Sequence, residues 1–211
     1  MFYFLGKVWI MRVVLQAAIA LSLIAAAVEP VLAQTAASAY TVLDLKKCRH
    51  TPGKDVEDYG EWSCASAGYN GIGVYVAAGD QRSYVSYGRK ASEQPAAKQT
   101  LASFNGEGKT IEWRGERGAD GVVKPYATIM RWSTAVLNDA VEPVKGQVLV
   151  VTRLGPGGVC HVGYVDARAN PDANALAQKI ADENARAFKC DADKPIVLGN
   201  KGPGFSGPYG E

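Results

Sequence analysis

The sequence predicts an α+β fold. It should be a mostly antiparallel sheet of about eight short strands, with a C-terminal helix packed on one face and two disulfides. Three observations carry this expectation. Short apolar runs, several of them alternating, lie between turns rich in Gly, Asn and Pro. A helical period is clear only late in the chain, where Ala173, Leu176, Ala177, Ile180, Ala187 and Phe188 share one stripe. Four cysteines, an even number, follow a segment that reads as an export signal.

Composition narrows the class further. The 211 residues are 47% hydrophobic and 21% charged, the balance of a folded domain and not of a disordered polyampholyte. A net charge of +2 supplies no basic excess to displace phosphate counterions, so nucleic acid is not an expected partner. Two histidines and no repeat argue against a solenoid or a histidine-rich metal carrier.

The first segment gives the address. Lys7 and Arg12 precede an apolar run from Val13 to Val28, broken only by Gln16 and Ser22. Val31-Leu32-Ala33 then supplies the short residues that signal peptidase reads. The run falls short of the roughly 20 residues that cross a bilayer, so cleavage after Ala33 is expected and no stable membrane anchor after it. Gln34 follows and no Cys is near, which argues against a lipid anchor. Met11-Arg12 begins a complete signal by itself, so translation from Met1 or from Met11 stays open. The expected organisation is a signal peptide at 1–33, one globular domain at 34–200 and a flexible tail at 201–211.

Tyr40 to Leu45 alternates and is expected as a first strand, residues 50–60 as a polar loop, and Trp62-Ser63-Cys64 as a second short strand. Gly68-Tyr69-Asn70-Gly71 is a turn by composition. Ile72, Val74 and Val76 then alternate with smaller or polar residues, and Gly79-Asp80 fits a two-residue hairpin loop. That loop sets Val74 opposite Val85 and Ile72 opposite Tyr87 on a core side, with Tyr75 opposite Tyr84 on the outer side. Pro95 to Phe104 is expected as a short helix. Thr110–Arg114 and Tyr126–Ala135 read as strands around a glycine-containing loop. In the second, Ala127, Ile129 and Arg131 face one way and Thr128, Met130 and Trp132 the other. Gln147–Leu154 carries Val148-Leu149-Val150-Val151, an apolar run suited to a central strand. Gly155-Pro156-Gly157-Gly158 turns it into an antiparallel strand over Val159–Asp166. Asn170 as N-cap and Pro171 at the first position open the helix.

The same distances suggest how the cysteines pair. From Cys160 to Asp166 the chain runs roughly 20 Å at strand rise. It returns through residues 171–188, roughly 26 Å at helix rise. Cys190 then comes back level with Cys160, which with a four-residue loop shares a face with Val151, Val162 and Tyr164. Cys160–Cys190 and Cys48–Cys64 are the expected bonds.

Four patterns could carry chemistry. Lys145 to Val151, the glycine loop and His161-Val162-Gly163-Tyr164-Val165 resemble the histidine hairpin of papain-like cell-wall peptidases. That resemblance implies His161 as base and Cys64, or Cys48, as nucleophile of a peptidoglycan-directed cysteine hydrolase. A metal could be sought among Cys48, His50, Cys64, Cys160, His161 and Cys190. None of them shows the close Cys-Cys spacing of structural zinc, and no metal or other cofactor is expected. Asp166, Asn170, Asp172 and Asn174 read as a capping turn, without the Gly and terminal Glu of a calcium loop. Glu61, Glu112, Glu116 and Glu183 have no separation that the sequence fixes, so no glycosidase pair is assigned.

Aromatic usage is the remaining lead. Ten Tyr and four Trp stand against five Phe, and polar-tipped rings suit surfaces that touch sugar or protein. Trp62, Tyr75, Tyr84 and Tyr69 are the candidate patch, on the outer side of the hairpin. The Trp62-to-Tyr69 segment, the Gly79-to-Tyr87 strand and the Cys160/Cys190 segment together resemble small exported proteins of alphaproteobacteria with no assigned activity. The expectation is a non-catalytic, disulfide-stabilised binding domain in the periplasm or secreted. Its partner would be an envelope component or another exported protein.

Overall fold

Strand β8 (Val123–Leu137) shows why the expected strands divide between two sheets. Ala127 and Ile129 point one way, Met130 and Trp132 the other, and all four are buried. A sheet that is apolar on both faces must be covered twice. Helix α1 (Ala173–Asn184) covers one face. A second sheet covers the other. The single sheet of about eight strands is therefore corrected to sheets of seven and four strands, with one helix outside the larger.

The computed structural model describes residues 35–210; the expected export signal lies outside them. The small sheet is β2 (Arg49–Thr51), β3 (Asp58–Tyr69), β4 (Ile72–Gly79) and β5 (Arg82–Tyr87), in that order. The large sheet runs β1 (Ala36–Val42), β7 (Thr110–Arg117), β8, β9 (Pro143–Arg153), β10 (Cys160–Asp166), β11 (Ile196–Val197). Strand β6 (Phe104–Gly106) pairs with β8 beyond the end of β7. All described pairings are antiparallel except β10 with β11.

Val74, Val76, Val85 and Tyr87 of the small sheet pack on Ile111, Trp113, Met130, Trp132 and Tyr164 of the large one. The expected core side of the hairpin is thus the buried side, but its register is two residues off. Val74 faces Tyr87 and Val76 faces Val85, across a loop of Asp80-Gln81. Gly79 belongs to β4 because β3 begins against it: a Cβ there would lie 3.1 Å from the Glu57 carbonyl. Asp80 and Gln81 both take positive φ, as a type I′ loop requires.

Other local departures have local causes. The first strand ends at Val42, and residues 45–47 form a 3₁₀ turn held by the Asp44 side chain. Part of the expected 50–60 loop is strand, because β2 completes the small sheet. Pro95–Phe104 forms a 3₁₀ turn over Pro95–Lys98 and then enters β6, and no α-helix. Asn170 is not the helix cap. Its amide clamps the chain, donating to Asp166 O and Asn200 O and accepting from Asn200 N, each at 2.9 Å. Ala187 lies past the helix and is exposed; Ala181 and Ala185 take the buried stripe instead.

Between His161 and Gly163 the pairing of β9 and β10 slips by one residue. The slip reverses the parity of β10. Cys160, Val162 and Val165 face the helix, whereas Tyr164 faces the small sheet, contrary to the face expected for it. At Gly163 a Cβ would sit 2.7 Å from Ile196 O and 3.0 Å from Ile180 Cγ2, so helix and β11 close over a residue without a side chain.

The helix is fixed at three places. Cys160–Cys190 pins its far end and Cys48–Cys64 joins the start of β2 to β3, as the expected pairing had it. Arg114 Nε and Nη2 donate to the two Asp182 carboxylate oxygens at 2.8 and 2.7 Å, and Tyr126 Oη donates to the same group at 2.5 Å. Burial opposes ionisation of Asp182, but those bonds and the charges of Arg114 and Arg186 outweigh it and hold its carboxyl below the usual range. Arg153, almost fully buried, donates to the carbonyls of Ala185, Gly158 and Pro156 and so ties the helix end to the glycine loop.

Residues 201–210, expected as a flexible tail, make hydrogen bonds to the body of the domain. Gly202 N donates to Asp166, Thr134 Oγ1 to Gly204 O, and Tyr209 N to Thr100 O. A Cβ at Gly146 would lie 1.9 Å from Gly204 O, so this passage needs glycine below it.

Candidate functional site

Cys64 is bonded to Cys48, and Cys160 to Cys190; no cysteine among the described residues is free. The residue that the peptidase resemblance offers as nucleophile therefore carries no thiol. His161 is fully buried. Its Nδ1 lies 2.9 Å from Tyr164 Oη, and its ring meets Trp132 edge-on at 5.9 Å. Nε2 has no hydrogen-bond partner among the described residues. Burial lowers the imidazole pKa to about 3, so the ring is neutral and faces core. Its neighbour Cys160 points to the opposite face. These residues form a sheet staple and a core contact, and no thiolate–imidazole pair.

The aromatic candidates separate. Trp62 pairs with Val76 and so faces the core side, where its ring stacks on His50 at 4.5 Å. Tyr69 also belongs inside, stacked on Trp113. Tyr75 and Tyr84 remain diagonal neighbours on the outer side, both half-buried. Burial, then a hydrogen bond to Glu61 and the charges of Glu61 and Asp58, raises the Tyr75 phenol to about 12. The expected four-ring patch is thus two rings, of which Tyr75 lies beside Glu61. The reason is the strand period: Trp62 has the parity of Cys64, which must face inward.

The more developed concavity comes from a mismatch of lengths. Strand β8 has 15 residues and α1 has 12. At strand and helix rises these span roughly 50 Å and roughly 18 Å. The helix therefore covers Ala127, Ile129, Leu149 and Val151 and stops, leaving the far end of β8 and β9 open on that face. The rows across the open end follow from register. Ser133 lies between Gly106 and Gln147; Ala135 lies between Phe104 and Lys145; Leu137 lies opposite Pro143.

A groove of about 720 Å³ crosses the first two rows, with Asn105, Lys145, Gln147 and Arg168 among its walls. Arg131 closes it toward the helix, donating to Gln147 Oε1 at 3.2 Å and Asn174 Oδ1 at 3.1 Å. Arg168 Nη1 donates to Lys145 O at 2.7 Å. Among the described residues, none of these three cations pairs with a carboxylate. A second groove of about 410 Å³ adjoins the first at Phe104 and Ala135. It is mostly apolar, walled by Val136, Leu137 and Phe205, with Arg82 at one side. Chemically, the pair offers cations, amides and hydroxyls next to half-buried rings and aliphatic carbons.

Sequence reasoning passed over Phe104, Leu137, Lys145 and Arg168. The available signal was Arg131, a cation placed on one stripe with Ala127 and Ile129; it marks where the covering element ends.

A scan against protein-family models finds no match, and neither does a search of curated proteins or of solved structures. Among the described residues no helix is long and apolar enough to cross a membrane, and the two disulfides are compatible with an extracytoplasmic protein.

Proposed function

We propose that the chain is an exported, disulfide-stabilised binding domain that does no catalysis, and that its ligand surface is the open end of the seven-stranded sheet. The supporting observation is the groove over Ser133, Ala135, Lys145 and Gln147. There a rigid two-sided sheet presents hydrogen-bond donors and unneutralised cations to solvent. Sites built on strands hold their geometry better than sites on loops. Donors that meet a ligand without reacting suit recognition of an envelope component or of another exported protein.

The experiment is hydrogen exchange on the exported, oxidised protein with and without solubilised envelope extract. Protection should appear at residues 104–106, 133–137 and 145–147. Protection confined to the Tyr75/Tyr84 face, or release of peptidoglycan fragments by the protein alone, would overturn the reading.

A further inference from the structure

We infer that the two adjoining grooves take one anionic amphiphile, with its alkyl chain along Leu137, Phe104 and Phe205 and its anionic head at Lys145 and Arg168. This rests on reading the open sheet end as the binding surface, and it adds the class of ligand.

The inference comes from the order of the rows. Passing outward from the helix, the exposed face changes from Arg131, through Ser133 and Gln147, to Phe104–Ala135–Lys145, and then to Leu137. Polar and apolar halves meet in one row, where a cation and a ring lie on either side of a small alanine. Leu137 is half exposed although it sits in regular strand, and Phe104 is only partly covered. A wholly polar ligand such as a glycan would fill the first groove and leave these carbons in water. A wholly apolar one would leave Lys145 and Arg168 unmatched.

The neighbouring charges keep the sign of the site. Arg82, beside the apolar groove, is paired with Asp80 and lies over the Phe104 and Tyr209 rings. Glu107 is bonded to Ser83 Oγ. Asp166, near Arg168, is buried and accepts three main-chain N–H groups. Asp139 and Glu142 lie in the turn beyond Leu137 and line neither groove. Lys201 Nζ lies over the Phe205 ring at 5.6 Å, at the rim of the apolar groove, and does not line it; Lys145 and Arg168 are the cations that line the polar groove, where the head group belongs.

The test uses the exported, oxidised protein and the series hexyl, octyl, decyl and dodecyl phosphate, each below its micelle concentration, by calorimetry. Inorganic phosphate and the matching alkyl glucosides serve as head-only and chain-only probes. Affinity should rise with each added methylene, up to about fourfold per CH₂, the ratio equivalent to full burial. Lys145→Gln with Arg168→Gln should weaken the phosphates at least tenfold, about the loss of one charge-assisted contact, and leave the glucosides within twofold. Leu137→Ser, an exposed position, should flatten the chain-length dependence without altering the fold. Phosphate binding that is independent of chain length would overturn the amphiphile while leaving the surface intact. Binding only to micelles or anionic vesicles would overturn it too, as adsorption to an interface. Absence of any binding, with no exchange protection at 133–147 in envelope extract, would remove the underlying surface as well.

Discussion

Acid should destabilise this protein well above the range in which carboxylates titrate, and His161 is the reason. The folded chain holds that ring neutral with a pKa lowered to about 3, against 6.5 for a solvated histidine. Between those values the unfolded chain binds a proton that the folded chain refuses. Stability is therefore full above the unfolded value and falls as the pH drops from about 6.5 toward 3. Each pH unit inside that window costs about 1.4 kcal/mol, so acidification from neutrality to pH about 5 should remove about 2 kcal/mol. For a domain of this size that is a fall in Tm of roughly 4–8 °C. Urea unfolding of the oxidised protein, followed by Trp fluorescence at stepped pH, measures it. His161→Gln should be less stable at neutral pH, because the bond from the ring to Tyr164 Oη and the edge-on contact with Trp132 are lost, yet its stability should change less between neutrality and pH 5. Parallel slopes for the two proteins would refute the argument, since they would mean that His161 either protonates in place or is reached by water.

Three further outcomes follow from the packing. Replacing Cys160 and Cys190 together by Ala opens a loop of 30 residues and should cost about 3–4 kcal/mol by chain entropy, read as a lower urea midpoint with faster exchange over residues 173–188. Asp182→Asn leaves the Arg114 guanidinium facing a neutral amide and should cost about 1–3 kcal/mol, with the residual acid sensitivity below pH about 4 reduced, since protonating the paired carboxylate is what the wild type loses there. Gly146→Ala drives a methyl into the Gly204 carbonyl and should raise amide exchange across residues 202–209 while β8 stays protected; unchanged exchange there would show that the C-terminal passage does not depend on that contact.

The parts of the fold that were legible in the sequence are those set by periodicity. The parities of β8 and of the β4–β5 hairpin and the late helix follow from strand and helix periods, and the Cys160–Cys190 bond from their rises, with Cys48–Cys64 as the remaining pair. The number of sheets was hidden because alternation gives a strand two faces without saying what covers each. Val74 and Val85 were legible as a core side, and Met130 and Trp132 as sharing one face of their strand, but nothing in their spacing says that they meet across two sheets. One-residue events were hidden too. The slip between His161 and Gly163 turns Tyr164 to the other face, and Gly79 serves a close approach of β3 and not a turn. The candidate surface was the least legible. Local motifs led to Cys64, His161 and Trp62, all of which serve the interior. The groove depends on where a helix ends relative to a strand far away in sequence, and only a single arginine, Arg131, hinted at it.

Both cysteine pairs are crosslinked, so no sulfur among the described residues is available for reaction. Mass spectrometry of the native protein after iodoacetamide, isolated from its own compartment with thiols blocked at lysis, tests this most directly. No adduct before reduction and four after it is the predicted result. A single adduct on the native protein at Cys48 or Cys64, formed in step with the loss of a peptidoglycan-cleaving activity, would contradict it.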